Sequence, residues 1–194
     1  MANVFYQTSI QLVFAVKNRE AIIKPEFQKS LHKYLGGILV NNRHKPLAIN
    51  SVYDHIHIFF GMHSCDIPAL IRELKSETSS FINQNKLSRF RFQWQGGYGL
   101  FTYSMSHRPA VIKYIENQQN HHKKRTFREE YLKFLQKFEI EYDQNYLFDF
   151  FEKSVIYVMK NLSRSLTRRP SFPGATLLSL SAPYRGKRLG FRKV

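Results

Sequence analysis

Hydrophobic and polar positions alternate along residues 5–16, and this period of two predicts a β-strand. One side of the strand is apolar and carries Ile10, Leu12, Phe14 and Val16. The other side begins polar and carries Gln7, Ser9 and Gln11. We therefore expect a half-buried strand whose polar side faces away from the core.

The rest of the pattern predicts three more strands and four helices. Residues 47–61 predict two strands with a turn or bulge near Tyr53-Asp54, and residues 98–104 predict another strand. Apolar stripes and start signals predict helices at residues 25–40, 67–85, 108–121 and 127–138, the last with a capping box at Thr126 and Glu129. This order favours an α+β fold, a ferredoxin-like or RNA-recognition-like antiparallel sheet with helices packed on it.

Composition narrows the class of protein. The 194 residues are 43% hydrophobic, which is enough for a sizeable core and excludes a wholly disordered chain. Cys65 is the single cysteine, so an intrachain disulfide framework and a multi-cysteine zinc site are excluded. No apolar run approaches the roughly 18 residues that a membrane span needs, and we expect a cytoplasmic protein without a membrane partner.

Charge divides the chain in two. Thirty Lys and Arg against fourteen Asp and Glu give a formal net charge of +16. Residues 152–194 alone contain ten basic residues and one acidic residue, in a setting rich in Ser, Pro and Gly without an amphipathic period. We predict a globular domain over 1–151 and a basic, mobile extension over 152–194, which either binds a polyanion or is solvated.

The sharpest local motif is His55-Ile56-His57, preceded by Asp54. Residues two apart in a strand share a face, so both imidazoles point the same way and can hold a divalent cation. Asp54 can then orient one ring from behind. The alternative is a pair of polar residues on the solvated face of an amphipathic strand, which is the commoner outcome for this motif alone.

A second motif lies in the predicted third helix, where Tyr114 and Gln118 are one turn apart and share a face. The Gln118 carboxamide oxygen is a candidate third metal ligand, and oxygen donors with open positions suit Mg²⁺ or Mn²⁺. Tyr114 is a candidate nucleophile toward a phosphate that a metal ion activates. An ordinary surface tyrosine among helix polar residues is the alternative.

Basic and aromatic residues indicate nucleic-acid binding. Such residues stack on single-stranded bases and neutralise phosphates, and the candidates are Arg72, Lys75, Arg89, Arg91 and Trp94. A packed loop around Trp94 explains the same composition. His121 and His122 begin a basic run that is more typical of a solvated helix end than of a ligand set, although it can meet DNA.

These motifs occur in an order that resembles one family. H-x-H precedes W-Q-x-G-Y-G-x-F, then Y-I-x-N-Q and H-H, and the run T-F-R-E-E-Y-x-x-F-L-x-x-F-x-I-E-Y-D-x-x-Y-L follows. The set strongly resembles the single-tyrosine HUH transposases of the IS200/IS605 group, including their REP-associated relatives. The resemblance covers about residues 3–148, and residues 152–194 depart from it.

The resemblance implies a dimeric, ferredoxin-like enzyme that acts on single-stranded DNA at hairpin-marked ends. It implies that His55, His57 and Gln118 hold Mg²⁺ or Mn²⁺ and that Tyr114 forms a 5′-phosphotyrosine link, leaving a 3′-hydroxyl that later rejoins strands. In characterised relatives the tyrosine helix of one subunit completes the partner's site. Two alternatives remain: a non-catalytic single-stranded nucleic-acid binder, and a domesticated nuclease that cuts hairpins without mobilising itself.

Overall fold

Four strands and two helices come first along the chain, and three helices follow them. The computed structural model describes residues 7–17, 22–63 and 66–150. The elements are β1 (Thr8–Ala15), α1 (Pro25–Asn41), β2 (Lys45–Ser51), β3 (His55–Met62), α2 (Ile67–Gln84), β4 (Gly99–Tyr103), α3 (Arg108–Glu116), α4 (Gln118–Lys124) and α5 (Phe127–Lys137). Short 3₁₀ turns occupy Met105–His107 and Gln144–Tyr146.

The four strands form one antiparallel sheet in the order β2-β3-β1-β4. Neighbours in the chain are separated in the sheet wherever α1 or α2 crosses over, so the two central strands are β3 and β1. This arrangement confirms the predicted α+β fold with an antiparallel sheet. The boundary near residue 151 stays a prediction, and the extension 152–194 lies outside the described residues.

Both faces of the sheet are covered. Alternate residues of β1 and β3 pack with α1 and α2 in one apolar cluster that includes Leu12, Phe14, Ile56 and Ile58. On the other face, Val13 and Phe101 pack with α5, while Phe59 packs with α3. A half-buried β1 was therefore a wrong expectation: Ser9 and Gln11 are buried because the second helical layer covers the polar side.

The predicted third helix is two helices. The first helix, α3, ends before Asn117, where φ is −90° and ψ is 12°, and α4 begins directly after this residue. Asn50 on β2 donates from Nδ2 to the carbonyls of Ile115 and Glu116, at 2.8 and 3.0 Å. These bonds satisfy carbonyls that a helix end leaves unpaired, and they fix the end of α3 to the sheet.

The start of α5 is fixed by its own sequence. The Thr126 side chain accepts from the Glu129 backbone N–H, and the Glu129 carboxylate accepts from the Thr126 backbone N–H, which confirms the predicted capping box. A β-carbon on Gly99 would lie 2.8 Å from the Tyr131 ring, so only glycine lets α5 approach β4 this closely. Among the described residues, no helix is long and apolar enough to cross a membrane.

Candidate active site

Both histidines of the H-x-H motif are buried on the face of β3 that α3 and α5 cover. His55 and His57 are each 0% exposed, and their ring centroids are 5.0 Å apart. The alternative of a solvated strand face is therefore wrong, because the sheet has no solvated face at this point. Burying two imidazoles calls for partners for their ring nitrogens, and the surrounding elements supply hydrogen bonds to all of them except His55 Nε2.

The Nδ1 atom of each ring is held from the sheet side. His55 Nδ1 donates to Asp54 Oδ1 at 2.8 Å, which is the orienting contact expected from the sequence. Gln11 on β1 donates from Nε2 to His57 Nδ1 at 2.9 Å and accepts from the Tyr103 hydroxyl at 2.9 Å. These contacts leave the Nε2 atoms of both rings directed away from the sheet, toward α5.

The carboxylate of Glu130 on α5 meets those Nε2 atoms, and the sequence analysis missed this residue. Glu130 is 5% exposed. Its Oε2 lies 3.2 Å from His55 Nε2, 3.3 Å from His57 Nε2 and 3.0 Å from His122 Nε2. Three imidazole nitrogens from β3 and α4 therefore surround one oxygen atom. His122 is part of this cluster and not of a solvated helix end.

The second oxygen of Glu130 binds the tyrosine and glutamine of the second motif. Tyr114 donates its hydroxyl hydrogen to Glu130 Oε1, and Gln118 donates from Nε2 to the same oxygen at 2.8 Å. The break at Asn117 separates these residues between α3 and α4, yet both side chains point into one site. Tyr114 also lies beside His57 of its own chain, with ring centroids 6.3 Å apart. A single chain thus contains all four predicted site residues in contact range.

Burial and charge shift the pKa values of these groups in different directions. Burial lowers the pKa of His55, but the charges of Asp54 and Glu130 outweigh it and raise that pKa to about 9. For His57 burial dominates, and its pKa is lowered. The pKa of Tyr114 is raised, by burial first and by the charge of Glu130 second.

For the Glu130 carboxyl group, the neighbouring histidines outweigh burial and lower the pKa. Burial by itself raises the pKa of its carboxyl group, but the charge of His57, the hydrogen bond from His122 and the close approach of His55 bring it well below the usual range. The carboxylate is therefore ionised in the folded protein, and a negative charge lies at the centre of the site.

The donor set fits a divalent cation. His55 Nε2 and Gln118 Oε1 are buried, and neither has a hydrogen-bond partner among the described residues. His55 Nε2 lies close to Glu130 but does not form a hydrogen bond with it. Ligand atoms of His55, His122 and Glu130 lie within 4.8 Å of one another. A half-turn of the Gln11 amide would let His57 ligate through Nε2, because the Tyr103 hydroxyl can donate or accept.

A pocket of about 330 Å³ opens beside the Tyr114 hydroxyl. Its lining includes the apolar side chains of Val111 and Phe134 and the aromatic ring of Tyr103. Basic side chains also line it, namely His107, His121, His122, Arg125, Lys133 and Lys137. An aromatic and apolar lining with basic side chains suits an unstacked base and its phosphates.

The structure places the predicted nucleic-acid-binding residues away from this pocket. Arg72, Arg89 and Arg91 are exposed. Arg91 and Lys75 border a separate groove of about 570 Å³ on the α2 side. None of the five lines the pocket beside Tyr114.

Lys75 and Trp94 have structural roles. The Lys75 ammonium donates to the carbonyls of Gln95, Gly96 and Gly97 at 2.6 to 2.9 Å, so it fixes the loop before β4. Trp94 is 7% exposed and donates from Nε1 to Thr78. Its ring packs edge-to-face on Phe14, 4.6 Å between centroids. The expectation that Trp94 stacks on bases is not supported, because the ring is part of the core.

Glu130 and His122 gave weak signals in the sequence. Glu130 follows the capping glutamate in Thr126-Phe127-Arg128-Glu129-Glu130, and its position on the apolar stripe of α5 beside Phe127 and Phe134 marks it as inward-facing. His122 is one of a histidine pair in a basic run, where nothing local separates an inward from an outward ring. An acidic residue on an apolar helix face was the detectable clue.

Comparison with known proteins gives one family. Residues 4–118 match the family profile "Transposase IS200 like". Two solved structures are similar: a candidate transposase from Deinococcus radiodurans R1, with 22% identity and TM-score 0.47, and a REP-associated tyrosine transposase bound to a REP hairpin, with 12% identity and TM-score 0.48. The matches cover 61% of this chain and 95% of the first, and 63% and 74% for the second. No curated protein sequence matches significantly.

Proposed function

Because the chain belongs to the IS200-like transposase family, we propose that it cleaves and rejoins single-stranded DNA with Tyr114 as nucleophile. His55, His57 and Gln118 are the proposed ligands of a divalent metal ion. One observation carries the proposal: the tyrosine hydroxyl, both histidine Nε2 atoms and the glutamine amide all meet at the Glu130 carboxylate in a buried site. A protein that only binds DNA has no need of this convergence.

Cleavage is a balanced exchange of phosphodiester bonds. The Tyr114 oxygen forms a bond to phosphorus, the bond from phosphorus to the 3′ oxygen breaks, and that oxygen takes up a proton from water and leaves as a 3′-hydroxyl. Glu130 Oε1, which accepts the hydrogen bond of the tyrosine hydroxyl, is an acceptor for the proton that the hydroxyl loses. Rejoining is the reverse exchange by a 3′-hydroxyl from a second cleaved end. The phosphodiester energy is conserved, so no nucleotide cofactor is required.

The metal ion, Mg²⁺ or Mn²⁺, would polarise the scissile phosphate and neutralise charge that develops on its oxygens. The chain's own residues prepare the site for it. Asp54 and Gln11 fix the two imidazole rings from behind, and Phe127 stacks on His55 with 3.9 Å between centroids. Rings held in this way keep their Nε2 atoms directed at one point, which is the usual arrangement for histidine ligands.

The proposed substrate is single-stranded DNA with hairpins near the cleavage site, as the sequence resemblance implies. The pocket beside Tyr114 is suited to the nucleotide next to the scissile phosphate, with Arg125, Lys133 and Lys137 close to its backbone. The homodimer implied by the same resemblance stays a prediction.

The test is formation of a covalent adduct between the protein and DNA. Labelled single strands that contain hairpins copied from the DNA flanking the coding sequence are incubated with Mg²⁺ or Mn²⁺ and resolved on a denaturing gel. We expect an adduct with the wild-type protein and none with Tyr114→Phe, which removes only the nucleophilic oxygen. The matched control is Tyr142→Phe, because Tyr142 is 47% exposed and does not line the pocket beside Tyr114.

Other outcomes separate the alternatives. An adduct that persists in Tyr114→Phe assigns the nucleophile to another tyrosine. Binding without an adduct in the wild-type protein would replace the enzyme by a non-catalytic single-stranded DNA binder. Cleavage without strand joining would favour a domesticated hairpin nuclease.

A further inference from the structure

His122 on α4 is turned into the site, although Lys123, Lys124 and Arg125, which follow it, are exposed. Its side chain is 12% exposed, and its Nε2 lies 3.0 Å from Glu130 Oε2. Its ring packs edge-on to His55, with centroids 4.6 Å apart. The neighbouring His121 ring lies against Tyr114 instead. Two adjacent histidines thus have different surroundings, and only His122 joins the imidazole cluster.

Three imidazole nitrogens converge on one carboxylate oxygen. The Nε2 atoms of His55, His57 and His122 all lie within 3.3 Å of Glu130 Oε2. A buried ionised carboxylate is costly unless it is paired or binds a metal ion. The burial of Glu130 is also built into the fold, since the capping box and the close contact at Gly99 fix α5 on the sheet.

We propose that His122 and Glu130 are ligands of the metal ion, so that the site offers three imidazoles and a carboxylate in addition to the Gln118 amide. This inference rests on the proposed function, which places the metal ion at His55, His57 and Gln118. Imidazole nitrogen suits first-row transition metals, whereas Mg²⁺ prefers oxygen ligands and water. The ligand set therefore selects Mn²⁺ or a later divalent transition metal over Mg²⁺.

Metal binding by the full chain tests the proposal without any DNA. Free Mn²⁺ gives a six-line electron paramagnetic resonance signal that bound Mn²⁺ loses, so a titration yields the affinity directly. We expect one tight site, and we expect that Mg²⁺ at about 100-fold excess does not empty it. Displacement of Mn²⁺ by stoichiometric Mg²⁺ would overturn the proposed selectivity.

Two pairs of variants assign the ligands. His122→Ala and Glu130→Gln should each weaken Mn²⁺ binding by about tenfold or more. The matched controls, His121→Ala and Glu129→Gln, should stay within about twofold, since glutamine preserves the capping box. Equal effects of His122→Ala and His121→Ala would remove His122 from the site. Unchanged or tighter binding by Glu130→Gln would show that Glu130 only occupies the cation position in the metal-free protein.

One measurement uses only the wild-type protein, so its result does not depend on whether the variants fold. Pulsed electron paramagnetic resonance of Mn²⁺ bound to ¹⁵N-histidine-labelled wild-type protein counts coordinated imidazoles. Three are expected, and two would overturn the role of His122. The proposed function can fail separately. If Mn²⁺ binds as expected but no covalent adduct forms through Tyr114, the metal-site proposal stands and the proposed DNA cleavage is rejected.

Discussion

The two faces of the sheet are equally buried but chemically different. On the α1 and α2 face, residues of β1 and β3 such as Leu12 and Ile58 pack in one large apolar cluster. On the opposite face the same strands bury Gln11, His55 and His57 against Glu130. Burial alone therefore does not identify the core of this protein. The first face is an apolar core, and the second combines apolar packing with buried polar groups.

The physical reason lies in the different consequences of burial for apolar and polar groups. Removing an apolar side chain from water is favourable in proportion to its area, whereas a buried polar group needs a partner merely to avoid a penalty. The face of the sheet that carries His55 and His57, the site face, retains two buried atoms without a hydrogen-bond partner among the described residues, His55 Nε2 and Gln118 Oε1. Such local conflicts are expected at functional sites.

The largest effect on stability is expected on the apolar face. Ile58 is fully buried beside His57 in β3 but points to α1 and α2. Ile58→Ala should reduce the free energy of unfolding by about 2–5 kcal/mol, because it removes buried methyl groups and leaves a cavity. Urea denaturation measures the loss. DNA cleavage per folded molecule should be unchanged, and a parallel loss of cleavage would show that the two faces are coupled.

The free energy of unfolding should also depend on pH through a histidine on the α1 and α2 side of the sheet. His32 on α1 hydrogen-bonds Ser51 Oγ through Nε2 at 2.8 Å, and burial lowers its pKa from 6.5 to about 4. Between those values the unfolded chain binds a proton that the folded chain does not, so stability falls as the pH falls through this window. The loss should approach about 2 kcal/mol near pH 4.5.

The control for this prediction is His32→Gln, which keeps a side-chain nitrogen for Ser51 but does not titrate. Denaturation of both proteins at pH 7 and near pH 4.5 isolates the histidine, since all carboxyl groups are shared. Identical losses in the two proteins would mean that His32 is not the responsible group.

The smallest stability effect is expected at the site face. Gln118→Met removes the unpartnered Oε1 and also the hydrogen bond from Nε2 to Glu130, two changes of opposite sign. The free energy of unfolding should therefore change by no more than about 1 kcal/mol, with a gain as the favoured direction. Mn²⁺ affinity should fall in the same variant. A loss of several kcal/mol would show that Gln118 stabilises the fold.

Much of the fold was predictable because its signals are local. Strand alternation, apolar helix stripes and the capping box of α5 depend on residues within a few positions of one another. Element order then limited the topology to a sheet with crossover helices. The break at Asn117 was missed because its cause is distant: Asn50 of β2 binds the last carbonyls of α3.

The candidate site was predictable in part. The motif order singled out His55, His57, Tyr114 and Gln118, and these four side chains are brought together. Trp94 was assigned to nucleic acid by composition, but its ring is buried, and composition does not distinguish an exposed aromatic from a core one. Nucleic-acid binding by Lys75 stays a prediction.

The sequence by itself determined the four strands, most of the helices, the α+β class and the residues whose chemistry suits phosphoryl transfer. Only the tertiary structure decided that both faces of β3 are buried, that His122 turns inward while His121 does not, and that Glu130 joins three imidazoles to Tyr114. The reason is the separation along the sequence over which each effect acts. Periodicity and capping act along a few residues of chain, whereas the charge and burial of a side chain depend on elements that meet it from far along the sequence, here β1, β3, α4 and α5.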